Sequence, residues 1–128
     1  MKAKKKILII DDEERFGQML KVNLEMADSY EVFVETLGTR GLETAHRVRP
    51  DLILLDVIMP DLSGPDVARR IANDPVLKRT PVVFLTAMPE EKVHLEDFDT
   101  TQYPFLQKPV SSAEVIDFNE KRLSEQKR

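Results

Sequence analysis

The chain has 128 residues, of which 41% are hydrophobic and 33% charged, a size and balance typical of one soluble globular domain rather than a disordered segment. Its formal net charge of −4 excludes a generally basic, nucleic-acid-binding surface, and the absence of cysteine excludes disulfides and thiolate chemistry. The lysines at the start precede an apolar run of four residues, too short for a signal peptide, and no run approaches the roughly 20 residues that span a bilayer. We therefore expect a cytoplasmic protein.

Short, continuously apolar runs alternate along the chain with longer amphipathic segments. The runs lie at Ile7–Ile10, Leu52–Leu55 and Val82–Leu85, with weaker candidates at Glu31–Glu35 and Phe105–Gln107. Runs of this length without polar alternation are typical of strands covered on both faces, as in a parallel sheet.

Helical patterns fill the intervals between these runs. The first predicted helix has apolar residues at helical spacing from Phe16 to Ala27, with Asp12 or Glu13 near its start, where acids interact favourably with the helix dipole. Shorter helices are predicted around Gly41–Val48, Pro65–Ala72 and Glu90–Phe98, and a last one runs from Ser111 to about Leu123, with Ser112 as a possible N-cap.

Strand and helix alternate about five times, which predicts an α/β fold: a doubly wound, five-stranded parallel sheet flanked by five helices. Residues 1–123 are predicted to form this domain. Residues 124–128 are predicted to be a charged C-terminal tail.

Polar side chains gather at the carboxyl ends of the predicted strands, the edge where open α/β sheets bind ligands. Asp11 and Asp12 follow the first strand and Asp56 the third, while the fourth ends in Thr86 and the fifth is followed by Lys108. Clustered carboxylates repel each other unless a divalent cation shares them, and all-oxygen ligands favour Mg²⁺ or Mn²⁺. A hydroxyl and an ammonium beside that cation suit a phosphoryl group, which an aspartate can accept as a nucleophile.

Four motifs, IDDEE, LLDVIMPDLSG, FLTA and QKP, resemble those of the receiver domain of two-component response regulators. The intervals match that family to within a residue: 44 residues from Asp12 to Asp56, 30 from there to Thr86 and 22 more to Lys108. The resemblance covers essentially the whole chain, with the single-domain chemotaxis regulators nearest in size. It implies the flavodoxin-like, three-layer form of the predicted fold.

The resemblance assigns roles to the acids. Asp56 matches the phosphoacceptor. Asp11, Asp12 and Asp56 match the carboxylates that hold Mg²⁺ (or Mn²⁺) together with the backbone carbonyl of Ile58. Gly64 falls at a turn position after the phosphoacceptor, where glycine permits a positive φ.

The resemblance also assigns the residues that respond to phosphorylation. Thr86 matches the switch hydroxyl that moves to bond the phosphoryl group. Lys108 matches the cation that pairs with a phosphoryl oxygen, and the Lys108–Pro109 bond is usually cis in the family. Phe105 matches the aromatic residue whose burial follows phosphorylation.

Two positions that vary among receivers tune the lifetime of the phosphoryl group, and here they are Ile58 and Met88. Neither apolar side chain can orient an attacking water, so we predict slow self-dephosphorylation. The approach to the fifth strand also departs from the family's small residues, because Tyr103–Pro104 stiffens it.

The leading interpretation is a phosphorylation-controlled signalling module rather than a turnover enzyme. A sensor histidine kinase or phosphotransfer protein would donate the phosphoryl group to Asp56, and binding to a downstream target or output domain would change. A homodimer could form through the face made by the predicted fourth helix, fifth strand and fifth helix. No membrane association is expected, nor direct nucleic-acid binding, since no helix-turn-helix follows in this chain.

Two other classes of function fit parts of this sequence. A pseudo-receiver would keep the fold but ignore phosphorylation, and such proteins typically lose the acidic pair, the acceptor or the lysine, all of which are present here. A phosphohydrolase of the haloacid-dehalogenase type needs a second aspartate two residues after its nucleophile. After Asp56 that position is Ile58, which disfavours this function.

Overall fold

Five parallel strands form one sheet in the order β2-β1-β3-β4-β5 in the computed structural model, which describes residues 3–87 and 103–126. The strands are β1 (Lys5–Ile10), β2 (Tyr30–Glu35), β3 (Leu52–Asp56), β4 (Val82–Thr86) and β5 (Phe105–Gln107). The predicted doubly wound, five-stranded parallel sheet is confirmed.

Four α-helices lie within the described residues: α1 (Glu14–Glu25), α2 (Gly41–Val48), α3 (Gly64–Ala72) and α4 (Ser112–Gln126). The helix predicted around Glu90–Phe98 falls outside the described residues, so only four of the five predicted helices can be compared. No helix of the described part is both long and apolar enough to cross a membrane.

The last helix differs from the prediction at both ends. Ser111 rather than Ser112 caps it, because the Glu114 N–H donates to Ser111 Oγ at 3.1 Å while the Ser111 N–H donates back to Glu114 Oε1 at 3.3 Å. This reciprocal pair is a capping box, which needs an acid three residues after the serine. The helix continues to Gln126, beyond the predicted end at Leu123, and the division of the chain at residue 123 stays a prediction.

Alternate residues of each central strand pack into two separate core layers. Along β1, Ile7 and Ile9 face α1 and α4, whereas Leu8 and Ile10 face α2 and α3, and all four are fully buried. A strand covered on both faces has no solvent side and therefore no polar alternation. This explains why the central strands are continuously apolar in sequence, and it fixes their carboxyl ends at one edge.

Candidate functional site

Three carboxylates meet at the carboxyl edge of the sheet. β1 and β3 are paired with Ile10 opposite Leu55, so Asp11 follows β1 directly beside Asp56, the last residue of β3. One carboxylate oxygen from each of Asp11, Asp12 and Asp56 lies within 4.8 Å of the others. The structure thus brings together the three acids that the sequence singled out, with an all-oxygen donor set suited to a hard divalent cation.

Two of these acids are withdrawn from water. Asp11 is fully buried and Asp56 is 6% exposed, whereas Asp12 is exposed. Burial, reinforced by the negative charge of Asp11, raises the pKa of Asp56 to about 7. Burial also raises the pKa of Asp11, and the attraction of Lys108 offsets this only in part. The site therefore resists carrying all of its negative charge unless a further cation is present.

Lys108 directly follows β5, and its side chain extends past the end of β4 to the acids at the ends of β1 and β3. Its Nζ atom lies 2.7 Å from Asp11 Oδ2 and 3.7 Å from Asp56 Oδ1, with the side chain only 10% exposed. Burial acts to lower the pKa of Lys108, but the hydrogen bonds to Asp11 and Glu13 outweigh it and the pKa is raised. The amine therefore stays an ammonium at neutral pH.

Glu13 also belongs to the site, although its place in the sequence predicts only the start of a helix. Its Oε1 atom lies 2.8 Å from Lys108 Nζ, and its backbone N–H donates to Asp11 Oδ1 at 2.9 Å. The side chain does not cap α1. A third consecutive acid directly after the strand-end pair was the sequence signal that could have identified it.

Thr86 closes the site on the β4 side. It is 3% exposed, and its backbone carbonyl accepts the Lys108 N–H at 2.8 Å. This hydrogen bond holds the backbone just after β5 against the end of β4. A cavity of about 220 Å³ lies between these groups, lined by Asp12, Glu13, Asp56, Ile58, Thr86, Ala87 and Lys108. Since one water occupies about 30 Å³ in the liquid, a small anion and several waters fit there.

Ile58 lies at the rim of this cavity with 62% of its surface exposed. The predicted roles of its carbonyl in metal binding and of its side chain in phosphoryl lifetime stay predictions. Met88, the second position predicted to tune that lifetime, lies outside the described residues.

Phe105 stacks on Phe84, one strand away, with ring centroids 5.3 Å apart and planes inclined by 30°. The Tyr103 ring packs on the same Phe84 at 5.2 Å. Phe105 is half-buried and contacts the strand that ends in Thr86, but its switch role remains a prediction. The Lys108–Pro109 peptide bond is cis, as the resemblance implied.

Gly64 is required by close packing rather than by backbone conformation. No glycine in the described part of the chain has a positive φ, so the expectation based on φ is wrong. A Cβ at Gly64 would instead lie 2.2 Å from the backbone oxygen of Asp56 and 2.9 Å from Val57 Cα. The start of α3 can therefore lie this close to the backbone at Asp56 only because residue 64 has no side chain.

Asp61 fixes the loop that follows Asp56. Its Oδ2 atom accepts hydrogen bonds at 2.9 Å from both the N–H and the hydroxyl of Thr39, and its Oδ1 atom accepts the Gly38 N–H at 3.2 Å. These bonds, with the one from the Thr39 N–H foremost, lower the pKa of Asp61 to about 2. No sequence pattern connects these two loops, since Thr39 and Asp61 lie 22 residues apart along the chain.

Comparison with known proteins places this arrangement in context. A family model described as "Response regulator receiver domain" matches residues 7–118. The chain is 36% identical over 116 residues to the phosphate regulon transcriptional regulatory protein PhoB of Pseudomonas aeruginosa, covering 88% of this chain and 48% of that protein. It is 34% identical over 111 residues to the DNA-binding dual master transcriptional regulator RpaA of Synechocystis, covering 87% and 46%. The chain thus spans about half the length of these relatives.

Solved structures share the fold. The Vibrio cholerae chemotaxis protein CheY4 superposes with a TM-score of 0.78 at 27% identity, covering 93% of this chain and 98% of that one. A signal receiver domain of a histidine kinase from Syntrophus aciditrophicus gives a TM-score of 0.75 at 26% identity, covering 97% and 93%.

Proposed function

Because the chain belongs to the response-regulator receiver-domain family, we propose that it is a switch activated by phosphorylation of Asp56. The observation that carries this proposal is that Asp12, Asp56, Thr86 and Lys108 line one small cavity at the carboxyl edge of the sheet, with a carboxylate oxygen of the buried Asp11 within 4.8 Å of those of Asp12 and Asp56. The phosphoryl donor is a sensor histidine kinase or a phosphotransfer protein, since such partners hold the group as a reactive phosphoramidate.

In the proposed step, a carboxylate oxygen of Asp56 attacks the phosphorus of a phosphohistidine. A P–O bond forms as the P–N bond breaks, and the electron pair of the broken bond stays on the imidazole, which takes up a proton. The Lys108 ammonium, 3.7 Å from Asp56 Oδ1, neutralises charge on the phosphoryl oxygens. Thr86, at the end of the adjacent strand, supplies a hydroxyl that donates to the same group.

The acids fit Mg²⁺, or Mn²⁺ in its place. Asp11, Asp12 and Asp56 each offer one oxygen within a common 4.8 Å, and we assign the cation to them together with the carbonyl of Ile58. Apart from the Lys108 ammonium at 2.7 Å, no group among the described residues donates to the buried Asp11 Oδ2, so this oxygen has capacity left for a cation. When bound, such a cation would neutralise the carboxylates and the phosphoryl oxygens.

The output of the switch is a change in binding. The relatives at 34% and 36% identity are named as transcriptional regulators and extend to about twice the length of this chain. We therefore propose that Thr86 and Phe105 transmit phosphorylation to a face that binds an output domain or a separate target, and through which a homodimer could form. A pseudo-receiver is not favoured, because the acids, the acceptor and the lysine are all retained.

The decisive experiment is intact mass spectrometry with acetyl phosphate, in the presence and absence of Mg²⁺. We expect an adduct of about 80 Da, one phosphoryl group, that requires Mg²⁺ and is absent from Asp56→Asn. Asp51→Asn is the matched control. It removes an aspartate from the opposite edge of the sheet, where Asp51 accepts the Lys6 N–H at 2.8 Å, and should leave the adduct intact. An adduct that persists in Asp56→Asn would contradict the proposal by placing the phosphoryl group on another residue. No adduct in the wild type would contradict it and favour the pseudo-receiver.

A further inference from the structure

Lys108 lies closer to the start of α1 than to Asp56. Its Nζ atom is 2.8 Å from Glu13 Oε1 and 2.7 Å from Asp11 Oδ2, but 3.7 Å from Asp56 Oδ1. Charge-assisted hydrogen bonds form at about 2.7–2.9 Å. The ammonium is therefore hydrogen-bonded to Asp11 and Glu13, which follow β1, and Asp56 attracts it only at longer range.

Phe16 adds to this contact on the same side. Lys108 Nζ lies 4.8 Å from the centroid of the Phe16 ring, within the range where an aromatic face attracts a cation. Glu13 and Phe16 are three residues apart at the start of α1 and therefore share one side of the helix. In this structure, then, the lysine is docked against the beginning of α1.

Glu13 is suited to a contact that can be exchanged. Its backbone is held by the bond from its N–H to Asp11 Oδ1, whereas its side chain is 63% exposed. An exposed carboxylate is readily solvated when it leaves an ion pair, so its release costs little. Lys108, at 10% exposure, stays within the site when Glu13 is released, where Asp11 and an anion on Asp56 are the partners within its reach.

From these contacts we propose that Glu13 is a positioning residue that retains Lys108 in the resting state and competes with the phosphoryl group for it. The inference rests on the proposed function, since it concerns the cation that faces a phosphoryl group on Asp56. A divalent cation held by Asp11 would compete with Lys108 for that carboxylate, which would leave Glu13 as the acid that holds the ammonium. Removing the Glu13 charge should therefore favour the phosphorylated form.

The test compares Glu13→Gln with Glu14→Gln. The two variants remove one negative charge from adjacent positions, but Glu14 is exposed and the ion pairs of Lys108 in the described part of the chain are with other acids. Affinity for beryllofluoride, a phosphoryl analogue, is measured by fluorine NMR at saturating Mg²⁺ and one pH. We expect Glu13→Gln to bind about 2- to 5-fold more tightly than Glu14→Gln, the range that release of an exposed ion pair supports.

A double-mutant cycle shows whether Glu13 acts through Lys108. Melting temperatures without metal are compared for Glu13→Gln, Lys108→Gln and the double variant, with Glu14→Gln in the matched cycle. The effects of the Glu13 and Lys108 substitutions should be non-additive, and those of Glu14 and Lys108 additive.

Each result decides the matter. Equal affinity in the two glutamine variants would overturn the inference. So would a gain in Glu13→Gln with an additive cycle, because Glu13 would then act by repelling the anion directly. A wild type that gives no beryllofluoride response would instead refute the proposed function itself, which the adduct experiment checks separately.

Discussion

Asp56→Asn should stabilise the metal-free protein at neutral and alkaline pH. The carboxyl of Asp56 is 6% exposed and lies beside Asp11, which raises its pKa to about 7 from an ordinary value of 3.8. The folded chain therefore disfavours the ionised form. An amide of nearly the same shape carries no charge and avoids this penalty.

The magnitude follows from the two pKa values. Their difference, about 7 minus 3.8, is about 3 pKa units, and each unit is worth 1.36 kcal/mol, so the ionised carboxylate costs at most about 4 kcal/mol. A buried amide without a good hydrogen-bond partner costs roughly 1–2 kcal/mol, which offsets part of that gain. We therefore expect Asp56→Asn to raise the free energy of unfolding by about 2 kcal/mol at pH 8.

The direction of the pKa shift determines how stability changes with pH. A raised pKa means that the folded state holds the Asp56 proton more tightly than the unfolded chain between pH 3.8 and about 7. This group therefore lowers wild-type stability as pH rises through that window, and its penalty is complete above pH 7. Urea unfolding of both proteins should show the variant about 1–2 kcal/mol less stable near pH 4, where only the cost of the amide remains, and about 2 kcal/mol more stable at pH 8, so the two curves cross.

Mg²⁺ should reverse the order, because a ligand that binds the folded wild type stabilises it by mass action and binds the variant less well. Asp51→Asn, which removes the same charge from the opposite edge of the sheet, should give no stabilisation at any pH. An Asp56→Asn variant no more stable than the wild type at pH 8 in chelator would refute the electrostatic reasoning. A gain that is equal at pH 4 and pH 8 would refute it as well.

Three further predictions concern the surroundings of the acceptor. Gly64→Ala should cost about 2–3 kcal/mol in urea unfolding, because its Cβ meets the backbone of Asp56, whereas Gly41→Ala, whose Cβ would lie 3.0 Å from a flexible side-chain end, should cost less. Asp61→Ala should lower the urea midpoint and slow phosphorylation by acetyl phosphate, since the loop after Asp56 loses its hydrogen bonds to Gly38 and Thr39; unchanged values would contradict that role. Ile58→Asn should shorten the lifetime of the phosphorylated form several-fold, followed by loss of the mass adduct, and an unaltered lifetime would count against it.

The central fold was predictable because both faces of its strands are buried. The four apolar residues of β1 in the Ile7–Ile10 run have no exposed side, so composition alone marks the strand. β5 is short and half-exposed, which explains its weaker signal. The N-cap of the last helix was misassigned between adjacent serines, and only the acid at Glu114, three residues after Ser111, distinguishes them.

The strand-end residues of the candidate site were predictable for a related reason. In a parallel sheet every carboxyl end lies at one edge, so Asp11, Asp56 and Lys108 converge once the strands are identified. Gly64 acts through the packing of the start of α3 against the end of β3, and Asp61 through a contact between two loops. Both depend on tertiary packing that a sequence pattern does not encode. The sequence pattern therefore predicts the charged residues of the site but not Gly64 and Asp61, which position the backbone around it.

The raised pKa values and the docked lysine have one origin, a site that gathers more negative charge than it can hold alone. Asp11 and Asp56 are buried together, and the partly buried ammonium of Lys108 lies beside them, between Asp11 and Glu13. A divalent cation bound there would neutralise part of the carboxylate charge, and the proposed phosphoryl group on Asp56 would then offer Lys108 a partner other than Glu13. On this account the strain between like charges makes the resting site receptive, and the exchange of Lys108 from Glu13 to the phosphoryl group couples the chemistry to the start of α1.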